Sequence, residues 1–124
     1  MASISDYVLD AALSKLDTEA NRVDICSSEP TTYTAATSTA SLGNSTSITI
    51  SAPTNGDTSG RKVTLSAITN ASVTGTGTAS HFAISDTSNS RLLATGSLSG
   101  GGQSVTSGNT FSLTAVDIEI PDPS

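Results

Sequence analysis

The amino-acid sequence predicts a mainly β protein: an antiparallel β-sandwich or barrel-like domain with one N-terminal α-helix. Three observations lead there. Short segments alternate an apolar residue with a hydroxyl, as in Lys62-Val63-Thr64-Leu65-Ser66-Ala67, Ser47-Ile48-Thr49-Ile50-Ser51 and Thr110-Phe111-Ser112-Leu113-Thr114, the period-2 pattern of a strand with one buried face and one wetted face. Turn-forming clusters such as Pro53-Thr54-Asn55-Gly56-Asp57 and Thr87-Ser88-Asn89-Ser90 separate these segments at the spacing of sandwiches and barrels. Helical periodicity is confined to the first twenty residues.

At 124 residues the chain is expected to form one domain, comprising a helix in 1–20, a strand and an uncharged arm in 21–43, and the β-sandwich in 44–124. Aromatics make up 3% of residues and there is no Trp. The core must therefore be built from Val, Ile, Leu and Ala, with each larger side chain worth roughly 1.5–3 kcal/mol when fully buried. Such a core is thin, and association with other subunits would reinforce it.

The helix is expected to start at Ser3-Ile4-Ser5-Asp6, with Ser3 as cap and Asp6 near the positive end of the helix dipole, and to run to about Asp17. Ile4, Tyr7, Val8, Leu9, Ala11, Ala12, Leu13 and Leu16 spread over well more than half of its circumference. One side then packs on the protein's own sheet, and the other either meets another subunit or is packed deeply as well. Arg22-Val23-Asp24-Ile25-Cys26-Ser27 alternates as the first strand and stops before Pro30, which cannot donate to a ladder. Thr31 to Gly43 carries no charge and forms an extended arm or a short helical turn ordered against something else. The expected partner interface combines Tyr7, Leu9, Leu13 and Leu16 of the helix with Tyr33 of the arm.

Further strands are predicted at Ser45–Ser51, Arg61–Ile68, Ser72–Thr78, Ser80–Asp86, Arg91–Gly96 and Thr110–Ile120, with Gly100-Gly101-Gly102 as a flexible loop. The last strand changes phase, from Phe111, Leu113 and Ala115 to Val116, Ile118 and Ile120. A one-residue slip turns half a strand to the wrong face, so a bulge or a change of sheet is expected near Ala115.

Charge and chemistry-bearing residues narrow the function. A net charge of −6, with Asp6, Asp10, Asp17, Glu19, Asp24 and Glu29 all before Pro30, opposes nucleic acid as a partner. No stretch approaches the ~20 apolar residues of a membrane span, and the N-terminus lacks a signal-peptide pattern, so a soluble product without a membrane partner is expected. The lone Cys26 cannot form an internal disulfide and reads as a small packed hydrophobe. The lone His81 opens a strand and reads as an ordinary surface or interface side chain. Without paired acid–base groups, no catalytic residue is assigned and no enzyme is expected. One Cys and one His far apart cannot make a zinc site. Asp117, Glu119 and Asp122, or Asn55 and Asp57, offer oxygen atoms, but not at calcium-loop spacing, and read as solvated acids. Gly75-Thr76-Gly77-Thr78 lacks the third glycine of a dinucleotide loop and reads as a glycine-weakened strand. No metal or cofactor is implied.

Three stretches carry a resemblance: Ser5-Asp6-Tyr7-Val8-Leu9-Asp10-Ala11-Ala12-Leu13 with Ser28-Glu29-Pro30-Thr31-Thr32-Tyr33; His81-Phe82-Ala83-Ile84-Ser85-Asp86-Thr87-Ser88-Asn89-Ser90-Arg91-Leu92-Leu93-Ala94-Thr95-Gly96; and the ending Asp117-Ile118-Glu119-Ile120-Pro121-Asp122-Pro123. Together they resemble small virion structural proteins of tailed bacteriophages, most like a capsid decoration, or cement, protein. The resemblance implies a non-enzymatic subunit on the capsid surface, made in the host cytoplasm. Its partners would be the major capsid protein and copies of itself in a homo-oligomer. A head-fibre, tail or adhesion component that recognises a host surface is the alternative, disfavoured by the scarcity of aromatic faces for sugars.

Overall fold

A computed structural model describes residues 3–98 and 102–122. The fold is mainly β and sandwich-like, with antiparallel sheets and one α-helix near the N-terminus. The chain divides into two compact units. One takes the chain up to Glu19, Thr49–Ala67 and the chain from Thr114 on; the other takes Ala20–Ile48 and Ile68–Leu113.

In the first unit, α1 (Asp6–Glu19) lies against β4 (Arg61–Leu65), which is flanked by β3 (Thr54–Asn55) and β11 (Val116–Ile120) in a three-stranded sheet. Leu9, Leu13 and Leu16 of the helix are buried, as are Ile50, Val63 and Leu65. The Ser5 carbonyl accepts the amide hydrogens of Val8 and Leu9. The helix therefore starts two residues later than Ser3 capping would place it, with Asp6 in its first turn.

The predicted strand at Ser45–Ser51 is replaced by a looser arrangement. Ile50 bridges Leu65, the Ser51 amide donates to the Thr64 carbonyl and the Ser66 amide to the Thr49 carbonyl. Ladder pairing resumes only at Thr54↔Lys62 and Asn55↔Arg61. Pro53, which has no N–H to offer, separates the two stretches.

The second unit is built on a six-stranded sheet in the order β10 (Thr110–Leu113), β5 (Ile68–Val73), β2 (Ser41–Ser45), β1 (Arg22–Cys26), β7 (His81–Asp86), β8 (Arg91–Ser97), with a separate ribbon of β6 (Gly77–Ala79) and β9 (Gln103–Val105). In the paired strands β1 and β7, Val23 and Ile25 lie opposite Ile84 and Phe82. Asp24 and Cys26 alternate to the other face, yet they too are fully buried. Their cover is the arm. It forms a π-helical turn at Ala35–Thr39, closed by the Ala40 amide on the Ala35 carbonyl. Ala36 and Ala40 pack with Cys26 and Ala83, and Leu92 lies against them. β1 and β7 are thus buried on both faces.

Gly43 in β2 is required by close packing, because a Cβ there would stand 2.6 Å from the Ser72 carbonyl oxygen and 3.1 Å from the Phe111 ring.

The phase slip before the C-terminal end resolves as a change of sheet. β10 pairs with β5, with a register shift between Phe111 and Leu113, and β11 pairs with β4 in the other unit. The glycine loop expected at Gly100–Gly102 lies, apart from Gly102, outside the described residues.

Candidate interaction surface

The apolar positions of α1 divide into two arcs. Leu9, Leu13 and Leu16 are absorbed by the fold. At about 100° per residue, Tyr7, Val8, Ala11, Ala12 and Lys15 fall on the opposite arc, and all five are exposed. Tyr7 is 85% and Val8 54% exposed, and Ile4 just ahead of the helix is 40% exposed. Tyr7 alone of the four expected helix interface residues therefore faces solvent; Ile4 and Val8 stand beside it.

This surface is held in place by Arg61. Its Nε donates to Asp10 Oδ1 at 2.7 Å and its Nη2 to Asp10 Oδ2 at 3.2 Å. Nη1 donates to Asn55 Oδ1 at 2.6 Å, and Nη2 also reaches the Pro53 carbonyl. Asp6 sits 3.9 Å away. The hydrogen bond that Arg61 donates to Asp10 raises the guanidinium pKa above its already high ordinary value. One side chain thus ties the polar edge of α1 to β4 and to the irregular strand beside it, with the paired geometry that favours arginine over lysine.

Tyr33, the remaining expected interface residue, belongs to the other unit and is half-buried where the π-turn begins. Its carbonyl accepts the Thr37 hydroxyl at 2.9 Å. The turn is fastened from beneath. Arg22 Nε and Nη2 donate to the two oxygens of Asp24 at 2.7 and 2.8 Å, and Nη2 also donates to the Thr37 carbonyl at 3.1 Å. Ser41 Oγ donates to Asp24 Oδ2 at 2.6 Å.

The chemistry-bearing residues are placed as follows. Ser80 Oγ lies 2.8 Å from His81 Nδ1 and 3.0 Å from the Ser27 carbonyl. A hydroxyl has one proton, and the carbonyl can only accept it, so His81 Nδ1 must be the donor toward Ser80. In that tautomer the ring does not act as a base on this serine. Burial, followed by the nearby Asp24, pushes the Cys26 thiol up to about 12, far from a reactive thiolate.

Asp117 is held below the usual carboxylate range by the Thr64 hydroxyl and then by Lys62. Lys62 also binds Asp57 at 2.6 Å, and the Glu119 carboxylate accepts the Asp57 amide hydrogen. Among the described residues no group of three or more His, Cys, Asp or Glu side chains is placed to hold a metal ion. No helix among them is long and apolar enough to cross a membrane.

No protein-family model, curated protein or solved structure matches this chain.

Proposed function

We propose that this protein is a non-enzymatic structural component of a tailed-bacteriophage virion, a decoration or cement protein that binds and stabilises the outer capsid shell. The observation that carries the reading is the exposed apolar arc of α1, with Tyr7 at 85% exposure, on a helix fixed by the Arg61 clamp. Exposed apolar side chains gathered on a rigid element favour burial against another protein. The helix and arm would make the contacts to the shell or to neighbouring copies, and the hydroxyl-rich strands would face solvent. The likeness of the three quoted stretches to phage structural proteins supports the same role. Individual contacts need not be strong, because a lattice multiplies them.

The test is to locate the chain in purified particles by reconstruction at side-chain resolution. Density for it on the outside of the head shell is the expected result. Density only in the tail or in fibres would replace this role with host recognition, and absence from particles would end the proposal.

A further inference from the structure

We propose that Asn55 is a self-modifying residue: through openings of the short strand β3, the backbone nitrogen of Gly56 closes on the Asn55 side-chain amide and converts it to aspartate and isoaspartate. This goes beyond the assembly role and does not depend on it.

The sequence singles out the position. Asn21, Asn44, Asn70, Asn89 and Asn109 are each followed by a residue with a side chain, and Asn55 alone precedes a glycine. A β-carbon on the following residue crowds the approach of its nitrogen to the asparagine Cγ. Glycine leaves that path open and reaches the backbone angles that ring closure needs. The fold blocks relief by substitution, because a Cβ at Gly56 would collide with the Ser59 carbonyl oxygen and the Glu119 carboxylate. The turn thus requires the residue that makes its neighbour reactive.

Two contacts hold the pair in the closed hairpin. Arg61 Nη1 donates to Asn55 Oδ1 at 2.6 Å, which fixes the amide and draws electron density from its carbon. The Gly56 amide donates to the Gly60 carbonyl at 3.0 Å, so the attacking nitrogen is engaged across the hairpin. That hold is local. β3 has two residues, both exposed, and lies at the edge of its sheet. A strand with so few buried contacts opens at far less cost than the whole fold.

Once it opens, the Gly56 nitrogen bonds to Cγ, and its proton leaves with the side-chain nitrogen as ammonia. A five-membered imide remains. Water then adds to one of the two imide carbonyls: breaking the bond between nitrogen and Cγ gives aspartate, and breaking the bond to the Asn55 main-chain carbonyl carbon gives isoaspartate. No oxidant or reductant is needed. Either product adds one negative charge to a chain whose net charge is −6, beside the Arg61 that already holds Asp10 and faces Asp6. Isoaspartate also lengthens the main chain by a methylene, which the Asn55↔Arg61 pairing cannot absorb in register.

The test is to hold the full chain at mildly alkaline pH, with and without urea, and to follow each asparagine by peptide mass spectrometry. The mass gain that accompanies replacing NH2 by OH should appear at residue 55 at least tenfold faster than at any other asparagine. An isoaspartate-specific methyltransferase should label the same peptide. Conversion should be at least tenfold faster in urea, where no hairpin has to open. Asn55→Gln, whose longer side chain closes to a six-membered ring far more slowly, should keep the native circular dichroism spectrum and lose the conversion. The proposal is overturned by an unchanged residue 55 in both conditions, by faster conversion at another asparagine, or by equal conversion in Asn55→Gln. Equal rates with and without urea would overturn the control by β3.

Discussion

The Arg22–Asp24 pair makes a quantitative prediction about what holds the second unit together. The Asp24 side chain has no solvent exposure and that of Arg22 has 21%. Replacing Asp24 by Ala removes the acceptor of two guanidinium hydrogen bonds and of the Ser41 hydroxyl, leaving Arg22 only the Thr37 carbonyl. Replacing Arg22 by Ala instead strands a fully buried carboxylate with Ser41 as its remaining side-chain donor. Breaking one partner of a buried pair costs about 3–5 kcal/mol. The partial exposure of Arg22 favours the lower end, so about 3 kcal/mol is expected for each single variant.

The double variant leaves neither charge orphaned and should also cost about 3 kcal/mol, a departure from additivity on the order of 2–3 kcal/mol. Urea unfolding followed by Tyr33 fluorescence in a Tyr7→Phe background reads this directly, since Tyr33 opens the turn that Arg22 holds. Single-variant costs that sum to the double within about 0.5 kcal/mol would show that the two groups act independently, and the reasoning would fail.

Three further outcomes follow from the same geometry. Leu13→Ala, at a site only 1% exposed, should cost about 2–5 kcal/mol by urea unfolding, whereas Tyr7→Ala should stay within about 0.5 kcal/mol while lowering particle occupancy. Asp86 has its pKa lowered below 3.8, chiefly by the Asn89 side chain and then by the Ser88 and Asn89 amides. A depressed carboxylate contributes stability that is present above its unfolded value and lost as pH falls through the lower folded value. The thermal midpoint should therefore drop more steeply below about pH 3.8 in the wild type than in Asp86→Asn, and parallel curves would contradict the assignment. Cys26, with its pKa pushed up to about 12, should react with a thiol reagent at pH 8 at least a hundredfold more slowly in native buffer than in urea; equal rates would mean that the site opens readily.

Much of the architecture was legible because period and punctuation are local properties. Helix α1, strands β1, β7 and β8 and the turn at Thr87–Ser90 follow from spacing and turn residues alone, and the slip around Ala115 announced the change of sheet. What escaped depends on segments distant in sequence. Cys26 reads as a packed side chain, but what covers it and Asp24 is not legible, since no local pattern shows that the Thr/Ala/Ser run will supply that lid. The stretch Ser47–Ser51 alternates like a strand, but Pro53 and the sparse pairing to β4 leave only a bridge. The short strand β9, Gln103-Ser104-Val105, has too few residues to show a period.

At the candidate surface, periodicity revealed an apolar girdle too wide for one core. It could not say which arc faces the fold, because that depends on where β4 lies. The Arg61 clamp was likewise invisible, since it joins residues 51 positions apart to Asp10.

The way the helix unit is threaded has a consequence for biosynthesis. Its helix, its central strand and the strand beyond it are drawn from three separated stretches, with Asp10 and Arg61 51 residues apart and Thr64 and Asp117 53 apart. On a translating ribosome the other unit therefore has nearly all of its chain available first, and this one closes only when Val116–Ile120 emerges to complete the sheet. Nascent copies would then lack a finished platform for α1 until that last strand has emerged, which separates the making of the helix from its use.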